Sequence, residues 1–81
     1  MRVLVVEDDR EVASYLSKGL KESGYVVDVV GDGAQGLQLA RVEPYEVLIV
    51  DRMLPGLDGL SLIRALRSEG SSVPVLVLSA L

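Results

Sequence analysis

Apolar residues fall along this chain in two alternating rhythms. Val3-Leu4-Val5-Val6 is an unbroken aliphatic run, the pattern of a strand covered on both faces. From Asp8 or Asp9 to about Ser23, Val12, Leu16, Gly19 and Leu20 recur at helical spacing, with Gly24 placed to end the helix. Tyr25 to Val30 is β-branched but carries Asp28 in its middle, which suits a partly exposed edge strand. Gly31-Asp32-Gly33 reads as a turn, and Ala34, Leu37 and Ala40 or Arg41 predict a short second helix that stops before Pro44. A second buried-strand run, Glu46 to Val50, leads into Asp51. The Pro-Gly and Asp-Gly pairs of residues 52–59 predict a loop, followed by a third helix with Leu60, Ile63 and Leu66 at its spacing. After Gly70-Ser71-Ser72, Val73 to Leu78 predicts a fourth strand, closed by Ser79-Ala80-Leu81.

Strands alternating with helices specify an α/β fold: a doubly wound parallel sheet with right-handed crossovers and helices on both faces. With the second strand at an edge, the expected order is 2-1-3-4. The direction of growth then reverses between strands 1 and 3, and ligands of such sheets bind beyond the carboxyl ends of the strands at that reversal. The rule selects Glu7 and Asp8 after strand 1 and Asp51 after strand 3.

Composition narrows the picture. Eighty-one residues form one small domain, residues 1–81, and with no cysteine there is no disulfide to support it. The absence of cysteine fits a reducing compartment, and the cytoplasm is the default expectation. The apolar start is cut short by Glu7-Asp8-Asp9, well before a signal-peptide core or membrane span is reached. Eight basic residues are scattered among twelve acidic ones, for a net charge of -4, so the chain offers no electrostatic footprint for DNA or RNA.

Three carboxylates at one crevice repel one another unless a cation joins them, and Mg²⁺ is the natural candidate, since it takes one or two carboxylates, keeps waters and completes its shell with phosphate oxygens. An aspartate beside such an ion can attack a phosphoryl donor. Plainer roles stand beside this one. Asp8 or Asp9 can cap helix 1, Asp8 and Glu11 having capping-box spacing; Asp58 reads as a cap for helix 3; Asp51 can form a turn; Ser79 can be a small polar exit residue. A rival reading is dinucleotide binding, because Gly31, Gly33 and Gly36 match G-x-G-x-x-G between a strand and a helix, with Asp51 near the place of a ribose-binding acid. Against it, the preceding strand carries Asp28, and the stronger core strand leads into acids that repel a pyrophosphate.

Val3 to Asp9, Val47 to Asp51, Met53-Leu54-Pro55-Gly56-Leu57-Asp58-Gly59 and Val75 to Ala80 together resemble the successive landmarks of response-regulator receiver domains of two-component systems, a flavodoxin-like fold. The Met53 to Gly59 loop is most similar to the subfamily whose second domain is a winged-helix DNA binder. The resemblance implies a regulatory phosphoacceptor rather than an enzyme: Asp51 accepts a phosphoryl group from a phosphohistidine on a sensor histidine kinase. It also implies Asp8 as a direct Mg²⁺ ligand, Glu7 as its partner through water, Met53 as a backbone-carbonyl ligand, and Ser79 as the hydroxyl that turns toward the phosphoryl group. DNA would be reached only through an output domain. Such domains continue with a fourth helix, a fifth strand ending in lysine and a fifth helix, none of which is in these 81 residues. The chain is therefore expected to accept phosphate slowly, and to self-associate through strand 4 or the uncovered face beside helix 1. A metal-binding interaction module that takes no phosphate is the remaining alternative.

Overall fold

The computed structural model describes residues 1–79, so Ala80, which closes the last of the landmark runs, and Leu81 lie outside the described residues. Seven elements alternate: β1 (Arg2–Val6), α1 (Arg10–Glu22), β2 (Val26–Val30), α2 (Gly33–Val42), β3 (Val47–Asp51), α3 (Gly59–Ser68) and β4 (Val75–Leu78). All strand pairs are parallel and the sheet order is β2-β1-β3-β4, as expected.

Successive side chains of a strand point to opposite faces, so β1 and β3 each supply two layers of core. Leu4, Val6, Leu48 and Val50 face α2 and α3, where they meet Leu37, Leu62 and Leu66. Val3, Val5 and Ile49 face α1, where Leu16 and Leu20 pack against them. Full burial of these aliphatic side chains is worth about 1.5–3 kcal/mol each, and it is what holds a chain of this size together.

Leu16, Leu20 and Leu66 meet the core as their stripes predict, but the first residue of each stripe does not. In α1 the buried residue is Ala13, and Val12 is 39% exposed. In α3 the buried pair is Leu62 and Leu66, and Leu60 lies at the surface with 37% exposure. Apolar residues crowd both segments, so two stripes were open to each; the neighbours chose between them. β4 is shorter than its apolar run because Pro74 has no N–H to give the ladder, although its carbonyl accepts from the Leu48 N–H at 2.9 Å.

Asp28 marks the edge strand as expected and also serves it. Its Oδ2 accepts the Tyr45 hydroxyl at 2.6 Å and the Arg2 guanidinium at 3.1 Å, while Arg2 also reaches Glu43 at 2.9 Å and lies over the Tyr45 ring. This network ties β1, β2 and the approach to β3 at the end of the sheet opposite the acidic residues.

Candidate functional site

The register of the sheet brings the acids together. Val6 pairs with Val50, so Glu7 and Asp51 are the next residues on adjacent strands. The Glu7 N–H still donates to the Val30 carbonyl at 2.9 Å, which fixes Glu7 as a continuation of β1. Its side chain turns inward, 6% exposed, and Oε2 accepts the Asp9 N–H at 3.1 Å. Burial pushes the Glu7 carboxyl up to about 7; the nearby Asp51 and Asp8 carboxylates push the same way, and the Asp9 N–H opposes them.

Of the two candidate caps for α1, the structure uses Asp9. Its Oδ1 accepts the N–H groups of Glu11 and Val12 at 2.9 and 3.2 Å. The Asp8–Glu11 capping box is therefore not formed, and Asp8 extends beside Glu7 instead. Asp58 caps α3 as expected, accepting from the Ser61 N–H at 3.0 Å and the Ser61 hydroxyl at 2.8 Å. At Asp51, Oδ1 accepts the Met53 N–H at 3.3 Å, turning the chain out of β3, while the Arg52 N–H reaches back to the Leu78 carbonyl at 3.0 Å.

Glu7, Asp8 and Asp51 each bring one carboxylate oxygen within 4.8 Å of the others. The donor set is all oxygen, and the acids raise the affinity of Glu7 for a proton, so a hard divalent cation fits where like charges now crowd. Glu7, Asp51, Leu78 and Ser79 line a cleft of about 390 Å³, and Ser79 shares a second, of about 280 Å³, with Asp51, Arg52 and Met53. The Ser79 hydroxyl group thus belongs to a residue facing the Asp51 crevice from β4. Val12, which the helical stripe assigned to the core, lines the same cleft as Asp51; its place one turn after the Asp9 cap is the signal that could have found it.

The glycines of the G-x-G-x-x-G run have other work. The Gly33 N–H donates to the Pro55 carbonyl at 3.0 Å, and a Cβ on Gly36 would meet Val6 at 2.8 Å, so this residue lets α2 lie against β1. The N-terminus of α2 is occupied by the Asp32 carboxylate, which accepts from Ala34 and Gln35 at 2.7 and 3.1 Å. A pyrophosphate would meet negative charge there rather than free N–H groups, and the dinucleotide reading fails on that ground.

Fold and crevice together define a signal-receiving module, and the family follows from the match: residues 3–81 match the response regulator receiver domain, and the chain belongs to that family. It is 49% identical over 81 residues to the probable transcriptional regulatory protein SilR of Salmonella typhimurium, a match covering 100% of this chain and 36% of that protein. The chain thus spans about a third of the length of this curated relative. Among solved structures, the receiver domain of Francisella response regulator 1452 superposes with a TM-score of 0.95 at 39% identity, over 99% of this chain and 66% of that one. The receiver domain of sensor histidine kinase PA1611 from Pseudomonas aeruginosa, solved with a magnesium ion in its active site cleft, gives 0.92 at 34% identity, over 98% of this chain and 66% of that one. As a receiver domain, the chain is a regulatory phosphoacceptor module. No helix among the described residues is long and apolar enough to cross a membrane.

Proposed function

We propose that this chain is the phosphoacceptor of a two-component pathway, that Asp51 is the residue phosphorylated, and that a sensor histidine kinase is the donor. The observation that carries this reading is the convergence of Glu7, Asp8 and Asp51 at the carboxyl ends of β1 and β3. Asp51 closes β3 at the mouth of a cleft, with Oδ1 turned to the Met53 N–H, and its other carboxylate oxygen is the one we assign to the reaction. In the transfer, that oxygen forms the new P–O bond as the P–N bond of the phosphohistidine breaks, and the electron pair leaves with the imidazole.

Asp8 and Asp51 are the carboxylates that would hold Mg²⁺, with Glu7 acting on it through water and Met53 offering its backbone carbonyl. The ion would neutralise charge on the transferring phosphoryl oxygens and offset the repulsion between the acids. Ser79 supplies a hydroxyl from the end of β4, where a phosphoryl group on Asp51 can draw it in. Movement of Ser79 would then carry the state of Asp51 into β4 and on to a DNA-binding output domain, so that transcription is the process controlled.

The test is Mg²⁺ titration followed by amide chemical shifts. Saturable shifts at residues 7–9 and 51–53 are expected, weakened in Asp51→Asn. A spectrum that does not respond there contradicts the metal site.

A further inference from the structure

Residues 52–58 join β3 to α3 and carry Met53, yet most of what holds this loop comes from outside it. At its base, the Gly59 N–H donates to the Arg52 carbonyl at 2.9 Å, and a Cβ on Gly59 would land on the Asp51 carbonyl oxygen. At its crest, the loop rests on the first turn of α2. The Gly33 N–H donates to the Pro55 carbonyl at 3.0 Å, and a Cβ on Gly33 would land on the Leu57 carbonyl oxygen. Gly56, at φ 79°, lies so close to the Asp32 carboxylate that a Cβ there would meet Oδ2 at 2.5 Å. Backbone cannot yield as a flexible side chain can, so the approach of α2 to the loop requires glycine at 33, and on the loop side the positive φ requires it at 56. Met53 sits between base and crest, with its N–H on Asp51 Oδ1.

We infer that the first turn of α2 is a positioning device for the site: Gly33, seated under Leu57 and Pro55, sets where the 52–58 loop holds Met53 over Asp51, and so sets the affinity for the divalent cation. The atoms nearest a Cβ on Gly33 all belong to Leu57. Gly33 is a positioning residue acting through the loop, as partners behind the direct ligands do in metal sites, where their loss costs 10–100-fold in affinity. The inference rests on the reading of the crevice as a Mg²⁺ site.

The experiment compares Gly33→Ala with Gly36→Ala, one turn along the same helix, by Mg²⁺ titration of the intact protein read from the amide shifts of residues 7–9 and 51–53. A Cβ on Gly36 meets only the Val6 and Leu62 side chains, so Gly36→Ala loosens α2 without pressing on the loop. Gly33→Ala is expected to raise the Mg²⁺ dissociation constant roughly tenfold and shift the amides of Met53, Leu54, Gly56 and Leu57 in the metal-free state, while Gly36→Ala leaves the constant unchanged. Equal weakening by both substitutions, or a folded Gly33→Ala with wild-type affinity, overturns the inference. A wild-type protein that ignores Mg²⁺ overturns the metal reading itself, and the inference with it. Should Gly33→Ala fail to fold, Asp32→Ala removes the carboxylate against which Gly56 packs and leaves the loop's own backbone unstrained. Weakened Mg²⁺ binding supports the inference there too, and unchanged binding overturns it.

Discussion

Glu7 is buried beside two other carboxylates, so it keeps its proton more tightly in the folded chain than in the unfolded one, at about 7 against an ordinary 4.5. Between those values the folded state holds a proton that the unfolded state has released, so stability falls as pH rises through this window. Above it the whole penalty is present. A divalent cation at the crevice reverses the balance by favouring the charged form. Thermal melts of the metal-free protein should therefore show a falling melting temperature from about pH 4.5 to about pH 7, which Glu7→Gln flattens and saturating Mg²⁺ suppresses. A wild-type slope that survives Mg²⁺ unchanged would sink this account of Glu7. Asp28 works in the opposite sense. The Tyr45 hydroxyl, and then Arg2, hold its carboxyl below the ordinary 3.8, so its contribution is present above that value and is lost only as pH falls further.

The division of labour between Asp8 and Asp9 belongs to the start of α1. Asp9→Ala removes the oxygen that accepts two helix N–H groups and should cost about 1 kcal/mol of stability, while leaving Mg²⁺ affinity nearly intact. Asp8→Ala should leave stability unchanged or raised and abolish the metal response, because it removes a repelling charge that caps nothing. Denaturant unfolding and Mg²⁺ titration of the two variants separate these outcomes; the reverse assignment of losses would refute it. Sequence alone could name both residues but not choose between them, since only the folded turn, in which Glu7 Oε2 accepts the Asp9 N–H, shows Asp9 set against the first N–H groups of α1. The strands were legible because Val3 to Val6 and Val47 to Val50 admit no other arrangement, and their order followed from the Asp28 edge. The helix phases were not, since Leu60, Leu62, Ile63 and Leu66 contain two stripes that only packing against the sheet distinguishes. The role of Gly33 was equally hidden, because its partner, the Leu57 carbonyl, is brought to it by the fold.

Across the whole molecule the two ends of the sheet do different things. At the amino ends of the strands, Arg2, Asp28, Glu43 and Tyr45 form a satisfied network that braces the sheet. At the carboxyl ends, Glu7, Asp8 and Asp51 crowd like charges that only a ligand relieves. The sheet also ends in β4, where Leu76 is 62% and Val77 42% exposed beside backbone with no strand on its outer side among the described residues. The central claim concerns the other end of the molecule, and one measurement reaches it directly. The protein is incubated with a small phosphodonor and Mg²⁺, and the modified residue is mapped by mass spectrometry after trapping the acyl phosphate. The account predicts a single phosphoryl group on Asp51, dependent on Mg²⁺ and lost in Asp51→Asn; a phosphoryl group elsewhere, or undiminished labelling of Asp51→Asn, would contradict it.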